Sequence, residues 1–233
     1  MAQISLFVGG IRLLPESGRP TGIYKQPATG PLALGPEGFL ADSQADRRVH
    51  GGPEKAVHLY PAAHYARLAA RFPEIAGQLV AGSLGENLST AELDEGSVRI
   101  GDIWQLGDAR LQVCQPRNPC WKIDERFATE GMAQFIAEQR LTGWYWRVLT
   151  PGTVAPGNAL LLEQPGTGPT LAAAMQLWQD HRPAIDELER LAATPGIAEH
   201  WRQKIEQRLA WLRRSPDTPA AAPATFHVKP EQA

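Results

Sequence analysis

Ser97-Val98-Arg99-Ile100-Gly101-Asp102-Ile103-Trp104-Gln105-Leu106-Gly107-Asp108-Ala109-Arg110-Leu111-Gln112-Val113-Cys114-Gln115 is the stretch whose reading decides the fold. Three runs rich in β-branched, aromatic and aliphatic residues, 97–100, 103–106 and 109–115, are separated by Gly-Asp pairs that favour turns over continued helix. Upstream, 4–8 and 56–60 have the same character, and downstream so do 143–149 and 158–163. The connector 150–157, Thr-Pro-Gly-Thr-Val-Ala-Pro-Gly, carries two Pro-Gly pairs and predicts a bend without regular hydrogen bonding. Many short strands punctuated by turns predict a mainly-β barrel or sandwich.

Two helices are predicted to cover it. Pro61 suits the first position of one, in which Tyr65, Leu68, Ala69 and Phe72 recur at the spacing of a single buried face before Pro73 ends it. A second, over 131–140, carries Met132, Phe135 and Ile136 as its apolar stripe.

After residue 163 the pattern changes. The Pro/Gly-rich segment 164–169 reads as a linker, and three amphipathic helices follow over 170–214. Thr170 caps the first of them, Pro183 starts the second, and the third carries Trp201, Ile205, Leu209 and Leu212 on one side. The expected organisation is therefore a β domain over 1–163, the linker, a small three-helix domain over 170–214, and a Pro/Ala-rich tail over 215–233 expected to be disordered.

Composition narrows the function. The 233 residues carry 23 Lys and Arg against 25 Asp and Glu, for a formal net charge of -2. Such a balance supplies no long-range field for nucleic acid or an anionic membrane surface, so neither is expected as a partner. No run approaches the roughly 18 apolar residues of a membrane span, and the two cysteines, Cys114 and Cys120, are too few for a disulfide framework. A cytoplasmic protein is expected.

Three short motifs carry candidate chemistry. In Gln115-Pro116-Arg117-Asn118-Pro119-Cys120-Trp121-Lys122 a cysteine follows a strand on a loop stiffened by two prolines. Arg117 and Lys122 flank it, and cations favour thiolate over thiol. A lone cysteine is more commonly a small packed apolar group, so this motif alone does not decide the matter. Cys114, alternating with Leu111 and Val113, reads as packing, and its spacing from Cys120 does not match a zinc site.

Arg47-Arg48-Val49-His50-Gly51-Gly52-Pro53-Glu54-Lys55 combines cations with glycines that let a backbone approach a phosphate, though it is equally an ordinary turn beside a solvated face. It matches neither a nucleoside-triphosphate loop nor a dinucleotide fingerprint. Gly82-Ser83-Leu84-Gly85-Glu86-Asn87-Leu88 adds an acid and an amide that either read a heterocycle edge or satisfy their own turn.

Taken in order, His50-Gly51-Gly52-Pro53, Gly85-Glu86-Asn87-Leu88 and Gln115-Pro116-Arg117-Asn118-Pro119-Cys120 resemble the MOSC domain. With Gly143-Trp144-Tyr145-Trp146 and the three helices, the chain is similar to the two-domain YiiM-like branch from residue 3 to about 214. That resemblance implies a β-barrel-like domain holding a molybdenum cofactor of the molybdopterin type, with Cys120 as the catalytic cysteine that ligates molybdenum. It implies reduction of N-hydroxylated compounds such as 6-N-hydroxylaminopurine, in a detoxifying role. Arg48, His50, Gly51, Gly52, Lys55, Arg117 and Asn118 match motif positions expected at the cofactor, the cations at its phosphate, and Glu86 and Asn87 are expected at the pterin.

Electrons are expected from a separate flavoprotein or ferredoxin-type donor, because the sequence has neither an iron–sulfur cysteine cluster nor a flavin-type glycine fingerprint. The terminal helices are expected to bury their apolar stripes against the barrel rather than dock that donor. A rival from the same resemblance is a cofactor-binding or transfer protein, or a sulfur carrier using Cys120. Some relatives carry a family-level association with pyridoxal phosphate, but a pyridoxal-phosphate-dependent desulfurase region is missing here, and a sulfur carrier would have to borrow one.

Overall fold

The structure, a computed structural model, describes residues 1–214; the tail 215–233 lies outside the described residues. Strands β1 (Ala2–Gln3), β2 (Ser5–Val8), β3 (Arg12–Leu13), β4 (Pro20–Thr21), β5 (Gln26–Pro27), β6 (Leu32–Gly35) and β7 (Gly38–Phe39) precede the first helix. Then come β8 (Val57–Pro61), β9 (Leu88–Thr90), β10 (Ile103–Leu106), β11 (Ala109–Pro116), β12 (Trp144–Thr150), β13 (Gly152–Val154) and β14 (Ala159–Gln164). The helices are α1 (Arg47–His50), α2 (Ala63–Arg71), α3 (Lys122–Phe127), α4 (Met132–Glu138), α5 (Leu171–Gln179), α6 (Ile185–Ala192) and α7 (Glu199–Arg214).

The main sheet runs β1-β14-β10-β11-β12-β8-β9-β2-β5. Its first strand and its last but one belong to one extended run interrupted only at Ile4. β1 pairs with β14 while β2 pairs with β9, so the chain itself joins the two sides and the sheet closes like a barrel. Closure removes most of the exposed edge that an open sheet would present. The β10–β11 hairpin turns at Gly107-Asp108 with Leu106 opposite Ala109, as its sequence predicts. β8 and β9 are the parallel exception, joined through α2.

Three expectations are corrected. Residues 97–100 form turns and a single bridge from Arg99 to Thr170 instead of a strand, because that backbone bonds the loop before α5. The 150–157 connector contains β13, which pairs with β6. Pro61 ends β8, so the helix begins at Ala63. The short helix α3 directly after Cys120 and the small strands before residue 40 have no clear periodic signal and were not expected.

Trp104, Trp144 and Trp146 fill the barrel beside Leu111 and Val113, with ring centroids near 6 Å apart, Trp104 edge-on to Trp146 and Trp144 tilted against it. Residues of α5, α6 and α7, among them Leu171, Leu188 and Ile205, belong to the same buried cluster. The helices therefore bury their apolar stripes against the sheet. Thr170 caps α5 by accepting from the Ala173 N–H at 3.2 Å. Backbone bonds reinforce the contact: the Ala198 N–H donates to the Cys114 carbonyl at 2.9 Å.

Gly143 shows how tightly the sheet constrains the site. Its φ is +65°, and an added Cβ would lie 2.2 Å from the Leu59 carbonyl oxygen of β8. Its carbonyl receives the Arg117 N–H, and its own N–H donates to Glu95. Gly143→Ala is expected to cost about 3 kcal/mol, from left-handed backbone strain plus backbone displacement. Thermal melting checks this, with a fall of roughly 10 °C expected.

Candidate functional site

Cys120 lies just past the end of β11, where the two prolines hold the loop extended and α3 begins two residues later. It is 4% exposed, yet its surroundings are not an apolar seal. Its Sγ sits 3.7 Å from His50 Nε2, and the small chamber of about 80 Å³ that it lines is also lined by Lys25, Lys55, Arg117 and Lys122. Burial nevertheless pushes the Cys120 pKa up, against the pull of the Lys122 backbone N–H and of Arg117 and Lys122. Desolvation thus opposes the neighbouring cations and favours the thiol over the thiolate while no metal is bound. A metal binding there must displace a proton.

Arg117 is the most informative partner. Its backbone N–H bonds the Gly143 carbonyl, Nη2 donates to the Leu84 carbonyl at 3.1 Å, and buried Nη1 has no hydrogen-bond partner. A buried guanidinium nitrogen without an acceptor is costly, so this one is poised for an anion or carbonyl of a ligand.

Arg117, His50, Lys55 and Tyr145 line both the chamber and a larger cleft of about 660 Å³. The cleft has the size usual for organic ligands, whereas the chamber alone admits little more than a metal and its nearest atoms. Asn118 lines the cleft.

The other residues expected at the site have different places. Arg48 is bound to Asp46, which also caps α1, and its side chain is 89% exposed. Glu86 is fully buried and accepts from the Tyr65 hydroxyl and from the N–H groups of Gly82 and Leu84, so it pins the glycine-rich turn and lines neither cavity. Asn87 lines the chamber, but its Oδ1 accepts from the His58 N–H while Nδ2 donates to Phe7 and Asp42. Its amide holds strands together. Gly51 and Gly52 shape the turn between α1 and the single 3₁₀ turn Pro53–Lys55, with Gly52 at φ +89°, and line neither cavity. Arg48→Ala is accordingly expected to change neither melting temperature nor ligand content, as measured side by side with wild type.

Sequence reasoning missed Lys25 and Asp42, a buried ion pair at the chamber, and His58, held neutral there by burial and by Arg117. It also missed Tyr145 as a wall common to both cavities. Lys25 and Asp42 lie in a segment without periodicity, and only the fold brings them to Cys120. Cys114 is packed within β11, its Sγ donating to the Glu54 carbonyl at 3.1 Å, with its pKa pushed up to about 12 by burial. Among the described residues no three His, Cys, Asp or Glu converge to hold an ion, so a metal at Cys120 must bring most of its own ligands. No helix among them is long and apolar enough to cross a membrane.

Comparison with known proteins gives concordant matches. A family model for the MOSC domain matches residues 46–160. Protein YiiM of Escherichia coli (strain K12) is 37% identical over 207 residues, covering 88% of this chain and 91% of that protein. A protein named reductase from Gibberella moniliformis is 39% identical over 145 residues, which are 61% of this chain and 26% of that longer protein. The crystal structure of YiiM from Escherichia coli superposes with a TM-score of 0.79 at 27% identity, over 97% of this chain and 98% of that one.

Proposed function

Because this chain belongs to the MOSC domain family, in its YiiM-like branch, we propose that it is a molybdenum-cofactor-dependent reductase of N-hydroxylated small molecules, with Cys120 as the protein ligand of the metal. The observation that carries the reading is the juxtaposition of the Cys120 sulfur with unpartnered, buried Arg117 Nη1 beside a cleft of about 660 Å³. The reductase name of the partly covered relative points the same way.

The residues fit such a cofactor on two counts. A single thiol without convergent protein ligands suits a metal that arrives already held by dithiolene sulfurs. The cations around it suit the cofactor's phosphate, with His50, Lys55, Arg117 and Asn118 the side chains that would hold it. When bound, the cofactor supplies the two-electron chemistry that, with two protons, turns an N–OH group into N–H and water.

The chain supplies position and protons. His50 Nε2, 3.7 Å from the sulfur, can take the thiol proton as the metal binds. Arg117 directs a buried positive charge at the shared wall of the cavities, where it neutralises an anionic ligand without rearrangement. Burial of Cys120 keeps bulk water from the sulfur. Electrons come from a separate flavoprotein or ferredoxin-type donor, and the working compartment is the cytoplasm.

The test is purification from a host that makes molybdenum cofactor, followed by metal analysis and by assay of 6-N-hydroxylaminopurine reduction with a reduced artificial donor. Near-stoichiometric molybdenum with turnover is expected. Molybdenum without turnover would favour a cofactor-transfer role, and protein that never retains molybdenum overturns the proposal.

A further inference from the structure

The cleft has a second wall that the proposed chemistry does not use. His200, Lys204, Gln207 and Trp211 recur at four-, three- and four-residue intervals along α7 and line the cleft, while Ile205, Leu209 and Leu212 of the same helix are buried. α7 therefore has one face in the core and another turned to the ligand space.

Its start is fastened to the glycine turn. Glu54, next to Lys55, accepts the N–H of Glu199 at 2.9 Å and pairs with Arg147 at 2.6 Å, and Arg147 also reaches the Ile197 carbonyl. This fastening brings His200 and Lys204 towards Lys55 across the cleft. Lys55 and Lys204 repel one another, and both depress the His200 pKa, as burial does more strongly. Lys55 donates to the Val49 carbonyl, a neutral acceptor. Glu54, the acid that acts on both Lys55 and His200, is committed to Arg147 and Glu199. Three cationic or titratable groups set against each other on a cavity wall are a poor arrangement for an empty protein and a good one for an anion. Trp178, with the Arg208 guanidinium over its ring, and Trp211 line the cleft beside them and offer flat surface to a ring, while Trp201 is buried behind.

We propose that Lys55, His200 and Lys204 form a phosphate subsite, in which the C-terminal helices clamp the phosphate monoester of a ligand whose planar ring lies along the tryptophan wall. The phosphate belongs either to the cofactor's tail or to a substrate of nucleotide class. The proposal rests on the cleft being the ligand site and requires no redox turnover.

The full chain, purified without cofactor, is titrated by tryptophan fluorescence with inorganic phosphate, adenosine and adenosine 5′-monophosphate. In parallel, molybdenum and pterin are measured in holoprotein of wild type and of His200→Ala and Lys204→Ala, two helix-surface changes checked for folding by circular dichroism. If substrate phosphate is the ligand, the monophosphate binds at least tenfold more tightly than adenosine, and each variant erases that margin without weakening adenosine. If the cofactor's phosphate is the ligand, the variants lose severalfold in cofactor content instead. Variants that keep full cofactor content and leave any monophosphate preference unchanged overturn the subsite. Because the titration uses protein without cofactor, a failed reductase assay would not imitate that result.

Discussion

Replacing Cys120 with alanine is expected to strip molybdenum from the purified protein and to lower reduction of N-hydroxylated substrate by more than about a hundredfold, a larger loss than removal of an outer-shell partner usually causes. The chain offers no convergent second set of metal ligands among its described residues, so nothing takes over when the sulfur is removed. Stability should change little. The side chain is small and faces a polar chamber, and truncating it costs on the order of 1 kcal/mol, a few degrees in melting temperature. Metal analysis, the donor-coupled assay and a thermal melt on the same preparation decide the matter. A variant that keeps its molybdenum would mean that Cys120 is a packing residue and that the cofactor, if bound, is held by other groups.

A second large effect is expected at the buried pair behind the chamber. Lys25 and Asp42 have side chains only 4% and 2% exposed, and the Asp42 carboxylate also accepts from the Gly9 N–H at 2.8 Å and from Asn87 Nδ2 at 3.1 Å. Asp42→Asn preserves the shape but leaves the lysine charge buried without its counter-ion, for an expected loss of about 3–5 kcal/mol, or on the order of 10 °C in melting temperature. The double variant Lys25→Met with Asp42→Asn removes both charges and should recover part of that loss. If the double variant melts no higher than Asp42→Asn, the charge is not the cause.

The pH dependence has a definite sign. Burial lowers the Lys25 pKa below the 10.5 of an unperturbed lysine, so in the alkaline window just under 10.5 the unfolded chain holds the proton more firmly than the folded one. Stability linked to this group therefore rises with pH through that window, and the Asp42→Asn deficit narrows there. Denaturant melts of wild type and variant across the window measure the narrowing.

Much of the site was legible because it lies in short, chemically distinctive segments. Cys120, His50, Lys55, Arg117 and Asn118 were all named from their motifs, and the structure sets each against one or both cavities. Glu86 illustrates the limit. An acid in a glycine-rich turn reads equally as a ligand contact or as a pin for the turn, and only the three donors gathered around it resolve the choice. Arg48 differs from Arg117 in the same way: both are arginines beside a motif, but one is solvated and the other is buried with a nitrogen to spare.

From the sequence alone came the features that depend on near neighbours in the chain: the β10–β11 hairpin with its Gly-Asp turn, the cap and apolar stripes of the last three helices, and the proline-stiffened cysteine loop. Backbone preference and side-chain periodicity act over a few residues and can be read there. Tertiary structure alone decided that β1 and β2 would close the barrel, that Lys25 and Asp42 would line the chamber with Cys120, and that α7 would turn His200 and Lys204 to the cleft that Lys55 also lines. Those outcomes depend on which distant surfaces bury each other, a sum over the whole core that no local pattern records.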